Sequence, residues 1–173
     1  MLRIIYWTKK STTMKVVLLA AGKGKRLSPI TEKLPKQMIK IVGKPILEHI
    51  IQYLAKHNFD DICIIIGHQS EQIKKYFGDG SNFGVKITYV YQKEQKGTAH
   101  ATYLSKNFVG QDNFLLYLAD TIIPNDLNNF LQKTSKNFDI EILSSDVNKE
   151  KSNSVGTISY KGDGLVTEIL EKN

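Results

Sequence analysis

Residues 18–29 read Leu18-Leu19-Ala20-Ala21-Gly22-Lys23-Gly24-Lys25-Arg26-Leu27-Ser28-Pro29, and Leu34-Pro35-Lys36 follows shortly after. The apolar run Val16–Leu19 that feeds this stretch predicts a buried strand. The strand empties into small residues and two glycines, where a backbone passes close to a ligand and offers its N–H groups to phosphate. Leu19, Ala20, Ala21, Gly22, Lys23 and Gly24 are therefore candidates for nucleotide contact, and Arg26 and Lys36 add fixed positive charge beside them. Strand, glycine-rich turn and two cations together describe a triphosphate cradle.

Two familiar phosphate loops are excluded by spacing. A P-loop needs four residues between its glycines and a Lys-Ser/Thr after the second, whereas one residue separates Gly22 from Gly24. The dinucleotide fingerprint would place a third glycine at position 27, which is Leu27.

Outward from this stretch, strand and helix patterns alternate. Helices are predicted at 45–54 (Pro45 in the first turn; Ile46, Ile50, Tyr53 and Leu54 on one face), 71–77, 98–105 and 126–136. Strands are predicted at 62–66, 85–91, 114–118, 140–143, 155–160 and 165–170, the last two joined by a turn at Gly162-Asp163-Gly164. Such alternation with apolar strands indicates a three-layer α/β/α, Rossmann-like fold with a mostly parallel sheet. Ligands in such sheets sit at the carboxyl ends of the strands, where the glycine loop, Tyr91-Gln92 and Ala119-Asp120 would converge.

Two further groups of residues lie at those ends. In Gln92-Lys93-Glu94-Gln95-Lys96-Gly97-Thr98-Ala99-His100, the Gln92 amide closes a strand and both donates and accepts hydrogen bonds. Gly97 and Thr98 open the next helix and present backbone N–H groups. Asp120, just past the strand at 114–118, is a hard carboxylate of the kind that meets Mg²⁺ and phosphates.

Composition narrows the function classes. The 173 residues, 41% hydrophobic and 24% charged, suffice for one domain with a real core. The net charge of +7 invites a nucleic-acid reading, but no basic run exceeds two residues and no aromatic-basic interleaving is present. Solvated basic faces account for most of the charge, and an acidic small-molecule ligand accounts for part of the rest. Cys63, the single cysteine, sits inside an apolar strand pattern and suits a reducing cytoplasm. His49, His57, His68 and His100 have no ligand-like spacing, and no segment has the length of a membrane span.

The opening stretch resembles the signature of the sugar-1-phosphate nucleotidyltransferases, Leu-Ala-Ala/Gly-Gly-x-Gly-x-Arg-Leu-x-Pro-Leu/Ile-Thr-x-x-x-Pro-Lys. Gly22, Gly24, Arg26, Leu27, Pro29, Thr31, Pro35 and Lys36 stand in register, and Lys25 replaces a frequent Thr. The segment from Gln92 to His100 resembles the base-reading Gln-x-x-x-x-Gly-Thr-x-His of uridylyl- and thymidylyltransferases. Ala119-Asp120 stands where the family usually has Gly-Asp.

The resemblance implies a nucleotide-diphospho-sugar transferase fold and the joining of UTP or dTTP to a sugar 1-phosphate with release of pyrophosphate. Arg26 would hold the departing phosphates and Lys36 would bridge the phosphates of both substrates, with Mg²⁺ at Asp120. Val155–Ile158 and Glu168–Lys172 resemble sugar-binding strands, in which Gly156 offers backbone and Glu171 accepts from hydroxyls. The domain is expected over 14–173, lacking the C-terminal part of the family's catalytic unit and inclined to self-associate through Val166 and Ile169. Residues 1–13 are expected to be a disordered arm or an upstream start. A non-catalytic nucleotide-binding or regulatory homologue, or a gene fragment of such an enzyme, is the alternative reading.

Overall fold

The computed structural model describes residues 2–6, 14–22, 24, 27–121, 140–144, 157–162 and 164–170. In chain order the elements are β1 (Leu2–Tyr6), β2 (Met14–Leu19), α1 (Ile30–Lys33), β3 (Lys40–Ile41), β4 (Lys44–Pro45), α2 (Ile46–Lys56), β5 (Asp61–Ile66) and α3 (Glu71–Phe77). They continue with β6 (Lys86–Tyr91), α4 (Thr98–Tyr103), α5 (Lys106–Val109), β7 (Asn113–Leu118), β8 (Ile140–Ser144), β9 (Thr157–Tyr160) and β10 (Val166–Leu170). One 3₁₀ turn, Lys36–Met38, follows Pro35, and another, Ser81–Phe83, precedes β6.

Four strands form the central sheet in the order β6-β5-β2-β7, and every pairing is parallel. Successive side chains of a strand point to opposite faces, so a strand covered on both sides must be apolar throughout. Residues 16–19 of β2 and 62–66 of β5 meet that demand. Val16, Leu18, Ile62, Ile64, Leu115 and Tyr117 pack on one face against Leu47, Ile50, Ile51 and Leu54 of α2 and Ile73 and Phe77 of α3. Val17, Cys63, Ile65 and Leu116 pack on the other face against Ala101 of α4 and Val109 of α5. The three expected layers are present, with α2 and α3 on one side and α4 and α5 on the other.

Several local expectations shift. The buried stripe of α2 is Leu47, Ile50, Ile51 and Leu54, while Ile46 and Tyr53 lie at its margin. Pro45 is the N-cap of α2, directly before its first turn. The helix expected over 98–105 divides into α4 and α5 at Leu104–Ser105. Ser105 Oγ donates to Thr102 O at 2.6 Å, and such a local side-chain bond competes with helix continuation. Leu2–Tyr6, expected to be an unstructured arm, is β1 and pairs antiparallel with β8, Leu2 opposite Ser144 and Tyr6 opposite Ile140. The hairpin of β9 and β10 is antiparallel with an irregularity between Val166 and Glu168. The helix expected over 126–136 lies outside the described residues.

Cys63 is fully buried on the α4–α5 face of the sheet. Burial, reinforced by the charge of Asp61, pushes its thiol up to about 12. The folded state thus favours the neutral thiol, and the stability this supplies is present below the ordinary value of 9.0 and lost as the pH rises from there towards about 12. A disulfide reagent at pH 8 should leave the native chain unmodified and should label one thiol per chain once urea unfolds it. Rapid labelling of the native chain would mean that β5 is not the covered strand described here.

Candidate functional site

The carboxyl ends of the central strands are tied together by backbone hydrogen bonds. Ala20 N donates to Ile65 O at 2.8 Å, Ala119 N to Leu19 O at 3.2 Å, and Gln92 N to Ile66 O at 2.8 Å. The residues just beyond these bonds therefore share one end of the sheet. They enclose a cleft of about 330 Å³. Leu19, Ala21 and Gly22 line one wall, Leu118 and Asp120 come from the end of β7, and Gln92, Gly97 and Thr98 come from the β6–α4 connection. Gln37, Gln95 and Ala101 complete the lining.

Asp120, at the cleft wall, is paired with a lysine. Lys36 Nζ donates to Asp120 Oδ2 at 2.8 Å, joining positions 84 residues apart. Both groups are partly exposed, at 31% and 40%. Lys36 reaches this position from the 3₁₀ turn, in which Met38 N donates to Pro35 O at 2.8 Å. Pro35 fixes its own φ, and its carbonyl holds the turn. The cation and the carboxylate singled out from sequence are thus direct partners.

Gly24 and Gly22 differ in why they are glycine. Gly24 has φ +61, and a Cβ there would stand 2.9 Å from Thr31 Cγ2 and 3.2 Å from Lys36 Cβ. Its carbonyl also accepts from Thr31 Oγ1 at 2.9 Å. The glycine, the threonine and the lysine of the motif are therefore packed on one another, and Gly24 itself does not line the cleft. Around Gly22 a Cβ would meet nothing within 4 Å, yet Gly22 lines the cleft. The segment is held from behind by α3 and its approach. Gln72 Nε2 donates to Lys33 O at 2.9 Å, and Gln69 Nε2 donates to Glu32 O.

Gln92 is buried, and its Nε2 lies 3.2 Å from Nδ1 of His100. Gln95 Nε2 donates to Ala21 O at 2.7 Å, tying the β6–α4 connection to the end of β2. Gln37 is buried with its Oε1 unpartnered by any protein group. Gln37 and Gln95 escaped the sequence reading. The position of Gln37 directly behind Lys36, on a tight turn, was the available signal. Lys23, Arg26, Gly156 and Glu171 lie outside the described residues, so Ala20 and the rest of the cradle are described without them.

Comparison with known proteins matches this arrangement. The nucleotidyl transferase family model covers residues 15–172. The chain belongs to the nucleotidyl transferase family. It is 38% identical over 161 residues to the low-salt glycan biosynthesis nucleotidyltransferase Agl11 of Haloferax volcanii, covering 92% of this chain and 44% of that protein. It is 35% identical over 160 residues to the UTP–glucose-1-phosphate uridylyltransferase AglF of the same organism, covering 92% of this chain and 65% of that protein. Among solved structures, a Bacillus anthracis protein assigned as a glucose-1-phosphate thymidylyltransferase superposes with a TM-score of 0.77 at 26% identity, over 93% of this chain and 65% of that one. This nucleotidyl transferase chain spans less than two thirds of the length of these relatives. The fold is the nucleotide-diphospho-sugar transferase type expected.

Among the described residues, no group of three or more His, Cys, Asp or Glu is placed to hold a metal ion by itself. Nor is any described helix long and apolar enough to cross a membrane.

The two glycines give a paired test. Gly24→Ala should lower the unfolding free energy by about 1–3 kcal/mol, because a positive φ and a tight contact are both violated. Gly22→Ala should stay within about 0.5 kcal/mol of wild type. Urea denaturation reads both, and equal losses would show that Gly22 is also a packing glycine.

Proposed function

We propose that the chain is the nucleotide-binding part of a sugar-1-phosphate nucleotidyltransferase, joining UTP or dTTP to a sugar 1-phosphate with release of pyrophosphate. The observation that supports it most is the 2.8 Å pair of Lys36 and Asp120, whose carboxylate lines the same cleft as Gly22 and Gln92. Each of these serves a different portion of a nucleoside triphosphate. Gln92, with Gly97 and Thr98, faces the pyrimidine edge. The backbone from Leu19 to Gly22 lies along the sugar and phosphates, and Lys36 meets the phosphate charge.

The chemistry asks little covalent work of the protein. An oxygen of the sugar phosphate attacks the α-phosphorus, the bond to the β-phosphate oxygen breaks, and pyrophosphate departs. Catalysis then consists of alignment and of charge stabilisation at the phosphates. Lys36, freed from Asp120, bridges the two phosphates that react, and Arg26 holds the departing β- and γ-phosphates. Gly156 and Glu171 are proposed to contact the sugar.

Magnesium fits Asp120. The side chain is a hard oxygen donor exposed at the cleft wall, and Mg²⁺ is held by one or two carboxylates together with substrate phosphates and water. When bound it neutralises phosphate charge. The cytoplasm is the proposed compartment, since the one cysteine is buried and unpaired and the proposed substrates are intracellular metabolites. Of the two residues expected to be uncovered, Ile169 is 49% exposed on β10 and offers a contact for self-association, while Val166 is half-buried.

Calorimetric titration with Mg²⁺ present should show UTP or dTTP bound more tightly than ATP. Lys36→Ala should cost about 1.5–3 kcal/mol in triphosphate binding, the range for a charged hydrogen bond, and leave uridine binding nearly unchanged. Preferred binding of ATP would overturn the base assignment. Equal losses for uridine and UTP would overturn the phosphate role of Lys36.

A further inference from the structure

We propose that the connection between β5 and α3 positions Lys36, with Gln69 and Gln72 as its positioning residues. The inference rests on the reading that Lys36 meets the triphosphate, and it gives a task to side chains that do not line the cleft.

The need for such a device follows from the sequence ahead of Lys36. The last carbonyls of a helix lack partners within it, and α1 has only four residues to hold its shape. A helical continuation would answer the Glu32 carbonyl from N–H groups at positions 35 and 36. Position 35 is proline, which has no N–H, and proline also disfavours helical backbone at Leu34. Leu34 is accordingly extended, at φ −140 and ψ 129, and the chain turns away from α1 before it reaches Lys36. Water can satisfy the exposed end of such a helix without fixing where it points. Side chains anchored in the fold do both.

Two glutamines supply the donors. Gln72 Nε2 donates to Lys33 O at 2.9 Å, and Gln69 Nε2 donates to Glu32 O. Each acceptor is a backbone carbonyl, which cannot donate, so the partner alone decides which amide atom faces it. Gln69 holds its place at a cost. Its φ of 61 lies in the left-handed region, where glycine is favoured over any residue with a Cβ. The bond to Glu32 is what a glycine there could not make.

The opposite end of the connection meets the cleft wall. Gly67, which follows β5, packs so closely on Ala21 that a Cβ would stand 2.8 Å from Ala21 O and 3.2 Å from Ala21 Cα. Ala21 lines the cleft. Between the two ends Ser70 is buried, its N–H donating to Gly67 O at 3.2 Å, and Ile73 and Phe77 fix α3 in the core. One short connection thus touches the wall at Ala21 and caps the end of α1. It sets where Lys36 stands relative to the glycine loop.

The test compares wild type, Gln69→Gly/Gln72→Met, Lys36→Ala and the variant that combines all three changes. Glycine relieves the left-handed backbone while deleting one donor, and methionine keeps the length and helix preference of glutamine while deleting the other. Urea midpoints should therefore stay close to wild type. Calorimetry with Mg²⁺ present should show UTP affinity falling by roughly three- to tenfold in Gln69→Gly/Gln72→Met with uridine affinity unchanged, and no further fall when the same changes are added to Lys36→Ala. An equal fall in both backgrounds, or a parallel loss of uridine, overturns the proposal and makes the glutamines general supports of the fold. Undiminished UTP binding in Gln69→Gly/Gln72→Met, while Lys36→Ala loses it, overturns the proposal and leaves the phosphate role of Lys36 standing. Undiminished binding in Lys36→Ala, or no UTP binding by wild type, overturns that role and the proposal with it. Gln69→Gly alone, in the same two backgrounds, decides the matter even where the double change disturbs folding. A fall of roughly two- to threefold confined to the chain that keeps Lys36 is expected, and equal effects in both backgrounds count against the proposal.

Discussion

Strand β2 is hydrogen-bonded in parallel on both sides, to β5 and to β7, and the chain reaches those two neighbours by crossovers on opposite faces of the sheet. The first crossover, through α2, leads to β5 and then by α3 to β6. The second, through α4 and α5, returns across the sheet to β7. Connections leaving adjacent strands in opposite directions open a crevice beyond their carboxyl ends. Everything at the site follows from that one arrangement. The end of β2 supplies the glycine loop, the end of β7 supplies Asp120, and the returning crossover carries the Gln92–Thr98 segment across the opening.

The long segment between β2 and α2 has a different task. It must leave the crevice, deliver Lys36 back to it, and then start a helix on the far face. Thr31 and Gly24 fold the segment on itself through the 2.9 Å bond from Oγ1 to the carbonyl. Pro35 and the 3₁₀ turn then aim Lys36 inwards, and the side chains of Gln69 and Gln72 clamp the carbonyls of Glu32 and Lys33 from behind. The motif is consequently a packing unit as much as a binding one. Thr31 is buried, and its presence in the signature is explained by Gly24 rather than by any ligand.

The central strands were legible in the sequence because a strand buried on both faces must be apolar at every position, as Asp61–Ile66 nearly is. Glu71–Phe77 was legible because its periodicity is bounded by Gly78. Lys36 and Asp120 were recognisable one by one, but their pairing was not, since nothing local encodes contact across 84 residues. The strand pairing of Leu2–Tyr6 with Ile140–Ser144 was hidden for the same reason. Gln37 and Gln95 were hidden for another. Glutamine in a polar loop is unremarkable until the fold shows that one amide is buried beside the cleft and the other bonds the Ala21 carbonyl. The division of α4 from α5 depends on the Ser105 hydroxyl turning back to Thr102, a choice that periodicity does not register.

The charge arrangement of the unliganded cleft bears on how a highly charged substrate could enter it. An isolated lysine at this position would repel a metal ion, and an isolated aspartate would repel a triphosphate. Paired, they present little net field to either. The pair is partly solvated, and ion pairs of that kind contribute only about 0–1 kcal/mol. A charged hydrogen bond to phosphate contributes about 1.5–3 kcal/mol. On the proposed reading, a magnesium–triphosphate complex offers a new partner to each member of the pair at once, phosphate to Lys36 and metal to Asp120. Exchange of partners therefore runs downhill without either charge being stranded. On that same reading, two opposite charges can face one another in a site that binds both signs, because the attraction between two partly solvated groups is weaker than the contacts a metal and a phosphate offer them.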